Sequence, residues 1–265
     1  MKIRQINCKT ALSPSFLPGL DYSLNPYRGC EHNCAYCYAP NVLKIKRENW
    51  GNFIDVKSNI PLVLSKEVKN KKGGIVGIST VTDPYQPIEK KYKLTLNCLE
   101  QLLKYDFPIS IQTKSSLVLR DIKMVSKFSN AEVIISITTF DDNERKLLEP
   151  YASTVEKRLD ALRKYAEVGI QTSVFFGPIY PSISTDEIPE IIDTFIDYGA
   201  SKIWIDSLNL KQGVWNSIKK NIFSNQEMYK AFSKNIFENK EHYSTLRKEI
   251  FTFAQKRNVK IVDAF

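Results

Sequence analysis

Short apolar runs alternate with longer amphipathic segments along most of the chain. Five runs rich in β-branched and aromatic residues lie at 73–80, 107–113, 131–138, 169–176 and 201–206. A sixth predicted strand ends near Tyr27. Runs of this length and composition are typical of buried β-strands. The pattern therefore predicts six strands separated by polar connections.

The segments between these strands carry apolar residues at helical spacing. Two such stripes are Tyr92, Leu96, Leu99, Leu103 and Val155, Leu159, Leu162, Tyr165. A third helix is predicted over 182–199. Strands alternating with helices imply βαβ crossovers and a parallel sheet. Since six strands fall short of a closed eight-stranded barrel, we expect an α/β fold, a partial (βα)6 TIM-type barrel with parallel strands and a helical C-terminal extension.

One domain is expected for the 265 residues, because barrels of this size are commonly single domains. The barrel core is predicted over about 22–210 and a mostly helical extension over about 211–265. Within this extension, 226–256 is predicted to be helical. The terminal stretch "VKIVDAF" is predicted to be a short last strand or a tail.

Composition indicates the cellular compartment, the state of the cysteines and the charge of possible partners. The chain has no run of 18 apolar residues and its first ten residues lack the apolar core of a secretion signal, so we expect a cytoplasmic protein with no membrane partner. The five cysteines are an odd number, which fits free thiols better than a disulfide framework. The net charge of +9 weakly favours an anionic partner, and a nucleic acid groove and a solvated basic surface both remain open.

Three of the five cysteines fall in one short stretch, "GCEHNCAYCYAP". Cys30, Cys34 and Cys37 have the spacing Cys-x3-Cys-x2-Cys, on the loop after the first predicted strand, where parallel α/β sheets place their chemistry. A structural zinc site needs a fourth ligand, and the remaining Cys and His residues are Cys8, Cys98, His32 and His242. His32 is more simply a polar turn residue and Cys98 a buried, inert thiol. A cubic iron–sulfur cluster takes one thiolate per iron, so three cysteines leave one iron open.

This motif, with an aromatic residue before its last cysteine, resembles the radical S-adenosylmethionine superfamily. The stretches "NPYRGCEHNCAYCYAP", "STVTDPYQPIEKKYKLT", "QTKSSLVLRDI" and the segment 136–170 resemble the group related to spore photoproduct lyase, over most of 22–180. The resemblance implies a [4Fe–4S] cluster on Cys30, Cys34 and Cys37. It also implies S-adenosylmethionine on the open iron, cleaved reductively to a 5′-deoxyadenosyl radical that abstracts a substrate hydrogen.

The same resemblance implies roles for further residues. Tyr36 and Tyr38 match aromatic positions implicated in hydrogen relay, and both also fit simple packing against the cluster. Lys114 and Ser136, at the ends of the third and fourth strands, match positions that contact S-adenosylmethionine. One position departs: Thr80 stands where the lyase has its hydrogen-donating cysteine, and an O–H bond is too strong to replace that thiol.

Other polar residues on the same edge are candidates on position alone. Thr82 is a candidate cofactor-binding residue beside Asp83, which either starts a rigid turn or orients substrate or cofactor as a catalytic residue. Asp206 ends the sixth strand and either caps the next loop or binds ribose or substrate.

The sequence therefore predicts a lyase-like radical enzyme that draws electrons from an external flavodoxin- or ferredoxin-type donor. Its substrate is unidentified, and a nucleic acid is one candidate. The alternative is a zinc- or cluster-stabilised nucleic-acid-binding module without catalysis.

Overall fold

Strands and helices alternate through the middle of the chain in the computed structural model, which describes residues 1–264. The strands are β1 (Lys2–Ile6), β2 (Leu12–Pro14), β3 (Tyr22–Leu24), β4 (Tyr27–Arg28), β5 (Phe53–Lys57), β6 (Val76–Ile78), β7 (Ile109–Thr113), β8 (Ala131–Ser136), β9 (Gln171–Phe176), β10 (Lys202–Ile205) and β11 (Lys260–Asp263). The helices are α1 (Ala39–Val42), α2 (Ile60–Glu67), α3 (Glu89–Tyr92), α4 (Leu94–Leu103), α5 (Ile122–Val125), α6 (Asp142–Leu148), α7 (Val155–Glu167), α8 (Ile188–Asp197), α9 (Val214–Ile222), α10 (Gln226–Ser233) and α11 (His242–Arg257).

The main sheet has eight strands in the order β11-β10-β9-β8-β7-β6-β3-β2. All neighbours from β3 to β11 pair in parallel, and β2 alone joins the edge antiparallel. This mostly parallel sheet, with helices following its strands, confirms the predicted α/β partial barrel. Its last strand, β11, lies in the stretch predicted as a short strand or tail; Phe265 lies outside the described residues.

A second sheet of three strands, β1-β5-β4, was not predicted. It takes up the segment near Tyr27: Tyr27–Arg28 pairs with β5, while the first core strand ends at Leu24. The predicted sixth strand is therefore divided between two sheets. Because β4 comes directly before the cysteines, the small sheet holds the start of their loop.

The predicted helical stripes face the core. Leu99 on α4, and Leu162 and Tyr165 on α7, are completely buried. The C-terminal extension is helical through α9, α10 and α11, and a single π-turn at Lys234–Glu238 continues α10. Within residues 1–264, none of the helices has the length and apolar character needed to cross a bilayer.

Candidate functional site

The cysteine loop is held tightly from several sides. Gly29, directly before Cys30, has φ +91°, and a Cβ there would lie 2.4 Å from the Phe53 carbonyl oxygen, so only glycine fits without a backbone shift. The Ala35 N–H donates to the Leu148 carbonyl at 2.8 Å. Arg47 donates to the Cys37 carbonyl at 2.7 Å. The loop conformation is thus fixed by contacts to β5, α6 and the segment after α1.

The three thiols of this loop lie together. Cys30 and Cys34 are buried and Cys37 is partly so. Burial raises the pKa of all three, that of Cys30 to about 12, and the charges of Cys30 and Cys37 add to the rise at Cys34. Backbone N–H groups of His32 and Asp83 donate to the Cys30 sulfur and lower its pKa, against the effect of burial. Three sheltered thiols with N–H groups directed at one sulfur are a donor set that fits a cluster taking one thiolate per iron.

The possible fourth ligands of a zinc site have other neighbours in the structure. His32 lies in a turn, as predicted, but it is buried, and its Nδ1 lies 3.3 Å from Asp83 Oδ2. Cys98 is fully buried, as predicted, near Cys8 and Glu89. The ring of His242 packs against Tyr243 in the C-terminal extension. Across residues 1–264, no group of three or more His, Cys, Asp or Glu side chains is placed to hold a single metal ion.

Thr82 and Asp83 lie on the loop after β6 and contact the cysteine loop directly. The Thr82 hydroxyl donates to the Gly29 carbonyl at 2.5 Å. Asp83 accepts from the Thr113 hydroxyl at 2.7 Å and from the Lys114 N–H at 2.8 Å. Burial alone raises the pKa of Asp83, but His32 and these hydrogen bonds outweigh it and lower the value to about 2. Asp83 is therefore an ionised carboxylate that ties the end of β7 to the cysteine loop.

Tyr36 belongs to a buried charged network. Its hydroxyl donates to Glu149, which also accepts from Thr138 at 3.0 Å and forms an ion pair with Arg158. Glu149 and Arg158 are 0% and 1% exposed. Burial raises the pKa of Glu149, but Arg158 and then Lys114 outweigh it, so the pKa is lowered and the carboxylate is ionised.

Lys114 and Ser136 lie at the ends of adjacent strands, β7 and β8. The Lys114 Nζ lies 5.7 Å from the centre of the Tyr36 ring. Its charge opposes the rise in the pKa of Cys34 and Cys37 that burial causes, so the cation stands beside the thiols. The Ser136 hydroxyl accepts from Gln112 at 3.3 Å, and its carbonyl accepts from Arg158 at 3.0 Å. Lys114 therefore borders the cysteine loop, and Ser136 is joined through Arg158 to the Glu149 network that Tyr36 contacts.

Tyr38 and Asp206 lie towards the open side of the site. Tyr38 is 46% exposed, and its hydroxyl donates to the Thr80 carbonyl at 2.7 Å. Burial first, then the charges of Cys37 and Asp206, raise the pKa of Tyr38 to about 12. Burial also raises the pKa of Asp206 to about 6. Tyr38 thus lies between the end of β6 and the end of β10.

Sequence reasoning did not single out Glu149 or Arg158, whereas Gln86 is a candidate on position alone, in the same loop as Asp83. Gln86 is fully buried, accepts from the Glu31 N–H at 2.9 Å and donates to Thr82 at 2.9 Å. For Arg158 a signal existed: it falls within the apolar stripe of α7, between Val155 and Leu159, where a charge requires a buried partner.

A mostly parallel α/β sheet, with three sheltered thiols on the loop that follows β4, fits the class of iron–sulfur proteins. The family model of the radical SAM superfamily matches residues 24–195. The chain belongs to this superfamily, whose members are enzymes that use a [4Fe–4S] cluster and S-adenosylmethionine and need a reductant. This membership displaces the zinc alternative.

The chain is also similar to two relatives and to a solved structure. An uncharacterized protein of Methanocaldococcus jannaschii is 38% identical over 218 residues, covering 80% of this chain and 79% of the relative. A radical SAM Nα-GlyT isomerase of Pseudomonas phage M6 is 25% identical over 181 residues, covering 67% and 37%. A spore photoproduct lyase mutant with bound S-adenosylmethionine and dinucleoside spore photoproduct superposes with a TM-score of 0.73 at 15% identity, covering 99% and 82%. At that identity the last match shows a shared fold.

Proposed function

We propose that this chain starts a radical reaction on a nucleic acid substrate, using a cluster bound by Cys30, Cys34 and Cys37. These three thiols would hold the cluster, which would supply the electron for reductive cleavage of S-adenosylmethionine to methionine and the 5′-deoxyadenosyl radical that would take a hydrogen atom from the substrate. The observation that carries the proposal is the group of three sheltered thiols, with Lys114 beside them, in a chain of this superfamily.

The chain's own residues would bind, orient and shelter the reacting groups. Lys114 and Ser136 are proposed to bind S-adenosylmethionine, with Thr82 and Asp83 shaping its site from the loop after β6. Tyr38 and Asp206 are proposed to face the substrate from the open side. The surrounding barrel wall would keep water away from the radical. The electron is proposed to come from a flavodoxin- or ferredoxin-type donor.

A nucleic acid substrate is supported by two observations. The chain carries a net charge of +9, which favours anionic partners. The spore photoproduct lyase that shares its fold holds a dinucleoside. The test is anaerobic incubation of reconstituted, reduced protein with deuterated oligonucleotides, and transfer of deuterium into 5′-deoxyadenosine is expected. If 5′-deoxyadenosine forms but contains no deuterium with every oligonucleotide tested, the nucleic acid proposal fails.

Thr80 argues against repair in the manner of spore photoproduct lyase. Its hydroxyl contacts Asn25 at 3.4 Å and Ser23 at 3.3 Å, and hydroxyls do not readily quench carbon radicals. Cys98 is fully buried and does not substitute. We therefore propose a modification or rearrangement of the nucleic acid, not clean dimer repair. Chromatography of products formed from dinucleoside spore photoproduct tests this: clean thymine formation by the wild type, without Thr80→Cys, would contradict it.

A further inference from the structure

Four aromatic rings form a continuous row across the C-terminal helices. Phe237 meets Trp215 edge-to-face at 5.0 Å between ring centres, Trp215 stacks on Tyr229 at 6.3 Å, and Tyr229 meets Phe223 at 6.2 Å. Trp215 and Tyr229 are partly buried, so they help to pack α9 against α10. The two end rings are different: Phe223 is 61% and Phe237 52% exposed. Packing of the helices does not account for two rings left largely in water.

Basic residues lie beside this row. Lys219 and Lys220 line a shallow depression of ≈ 370 Å³ together with Phe223 and Asn216. Both lysines are exposed and stand in the last turn of α9. The depression therefore combines an accessible aromatic ring with two positive charges. This pairing distinguishes it from a purely apolar patch, for which burial in a protein partner would be the simpler expectation.

The row also adjoins the functional site. The Asn41 amide, four residues after Cys37, donates to the Gln212 carbonyl at 3.1 Å. At Gly213, which caps α9, a Cβ would stand 3.6 Å from the Arg47 side chain, and Arg47 donates to the Cys37 carbonyl. α9 thus starts beside the cysteine loop, and its nine residues make it about 13 Å long.

We propose that α9 and α10 form a binding surface for single-stranded or locally unpaired nucleic acid. Bases would stack on the exposed rings of Phe223 and Phe237, and phosphates would pair with Lys219 and Lys220. Aromatic platforms combined with positive charge are how proteins bind unpaired strands without reading their sequence. This inference rests on the proposed nucleic acid substrate, and it assigns that substrate a path leading to the cysteine loop.

The test is fluorescence anisotropy of labelled oligodeoxythymidylate and oligouridylate with the reconstituted protein over a series of salt concentrations. Phe223→Ala is expected to weaken binding about tenfold at fixed salt, through loss of one stacking platform. The double variant Lys219→Gln/Lys220→Gln is expected to flatten the slope of log K against log salt by about 1.4, since each phosphate contact on a single strand contributes about 0.7.

Matched controls carry the same chemical changes elsewhere. Phe16→Ala removes a fully exposed ring, and Lys66→Gln/Lys69→Gln removes two exposed charges from α2 and the turn after it. Neither control is expected to change affinity or slope by the same amount. Equal effects in test and control variants would overturn the proposal. A loss confined to the lysine variant, with Phe223→Ala unaffected, would show a general polyanion surface and would also overturn it.

Formation of 5′-deoxyadenosine by the same wild-type preparation reports separately on the proposed function. Ring- and lysine-dependent binding without deoxyadenosine would uphold the surface and reject the radical chemistry. Deoxyadenosine formed by a protein that binds neither oligonucleotide would support the radical chemistry and reject the binding surface.

Discussion

Replacing Glu149 with glutamine removes one charge from a completely buried ion pair while keeping the side chain's shape. In the wild type the carboxylate accepts hydrogen bonds from Tyr36, Thr138 and Arg158. The glutamine oxygen can keep the hydroxyl donors, but its NH2 group has no acceptor in Arg158. The substitution therefore leaves an uncompensated guanidinium in the core, beside the cysteine loop.

The structure sets the size of the effect. Breaking a buried ion pair by removing one partner costs about 3–5 kcal/mol. Arg158 keeps two carbonyl acceptors, Ser153 at 2.8 Å and Ser136 at 3.0 Å, which still stabilise part of its charge. We therefore expect a loss near the lower end, about 3 kcal/mol of unfolding free energy. Because Tyr36 sits between Cys34 and Cys37, iron retention should also fall.

The assay is urea denaturation of anaerobically reconstituted protein followed by tryptophan fluorescence, with iron measured on the same samples. Asp193→Asn is the matched control, because it breaks the Asp193–Arg257 pair, whose side chains are 37% and 50% exposed. Such surface pairs contribute less than about 1 kcal/mol. If Glu149→Gln cost no more than Asp193→Asn and retained full iron, the reasoning about this network would be refuted.

Three further predictions follow from the site. Lys114→Ala should weaken S-adenosylmethionine binding by about 1.5–3 kcal/mol in a titration of the reconstituted protein, without loss of iron, whereas exposed Lys123→Ala should bind normally; equal affinities would return Lys114 to the ordinary surface lysines. Asp206 has its pKa raised from 3.8 to about 6, so the folded state holds its proton longer and this residue's contribution to stability falls as pH rises from about 4 to about 6. Asp206→Asn should remove this pH dependence. The difference in unfolding free energy between wild type and variant should therefore change between about pH 4 and pH 6 and stay constant above pH 6. A difference that is the same at every pH would contradict the raised pKa of Asp206. Gly29→Ala should lower iron content after reconstitution, because its Cβ collides with the Phe53 carbonyl, and full iron loading would show that the loop tolerates the shift.

The core of the fold was predictable because its signals are local. Each parallel strand from β6 to β10 is a short apolar run, and each amphipathic stripe between them recurs at helical spacing. The three-stranded sheet escaped prediction because β1 is largely exposed, with "KIRQI" burying only its last residue in part, and because β4 has only two residues. Pairing of β1 with β5 joins residues about fifty positions apart, which periodicity does not reveal.

The candidate site also has a part that local sequence predicts and a part that depends on long-range contacts. Cys30, Cys34 and Cys37 are recognisable because their spacing is local, and the structure places them together. The partners of the candidate residues are distant in sequence: His32 contacts Asp83, and Tyr36 reaches Glu149 across 113 positions. A charged residue in an apolar stripe indicates that a buried partner exists, but its identity depends on how the whole chain folds.

The most direct test of the central claim is the formation of 5′-deoxyadenosine from S-adenosylmethionine by anaerobically reconstituted, reduced protein. Wild type and Cys8→Ala, which removes a thiol outside the cysteine loop, are predicted to form it and to keep the cluster's absorption. Cys34→Ala is predicted to lose both. Deoxyadenosine formed by Cys34→Ala with an intact cluster, or none formed by wild type with a full cluster, would contradict the account.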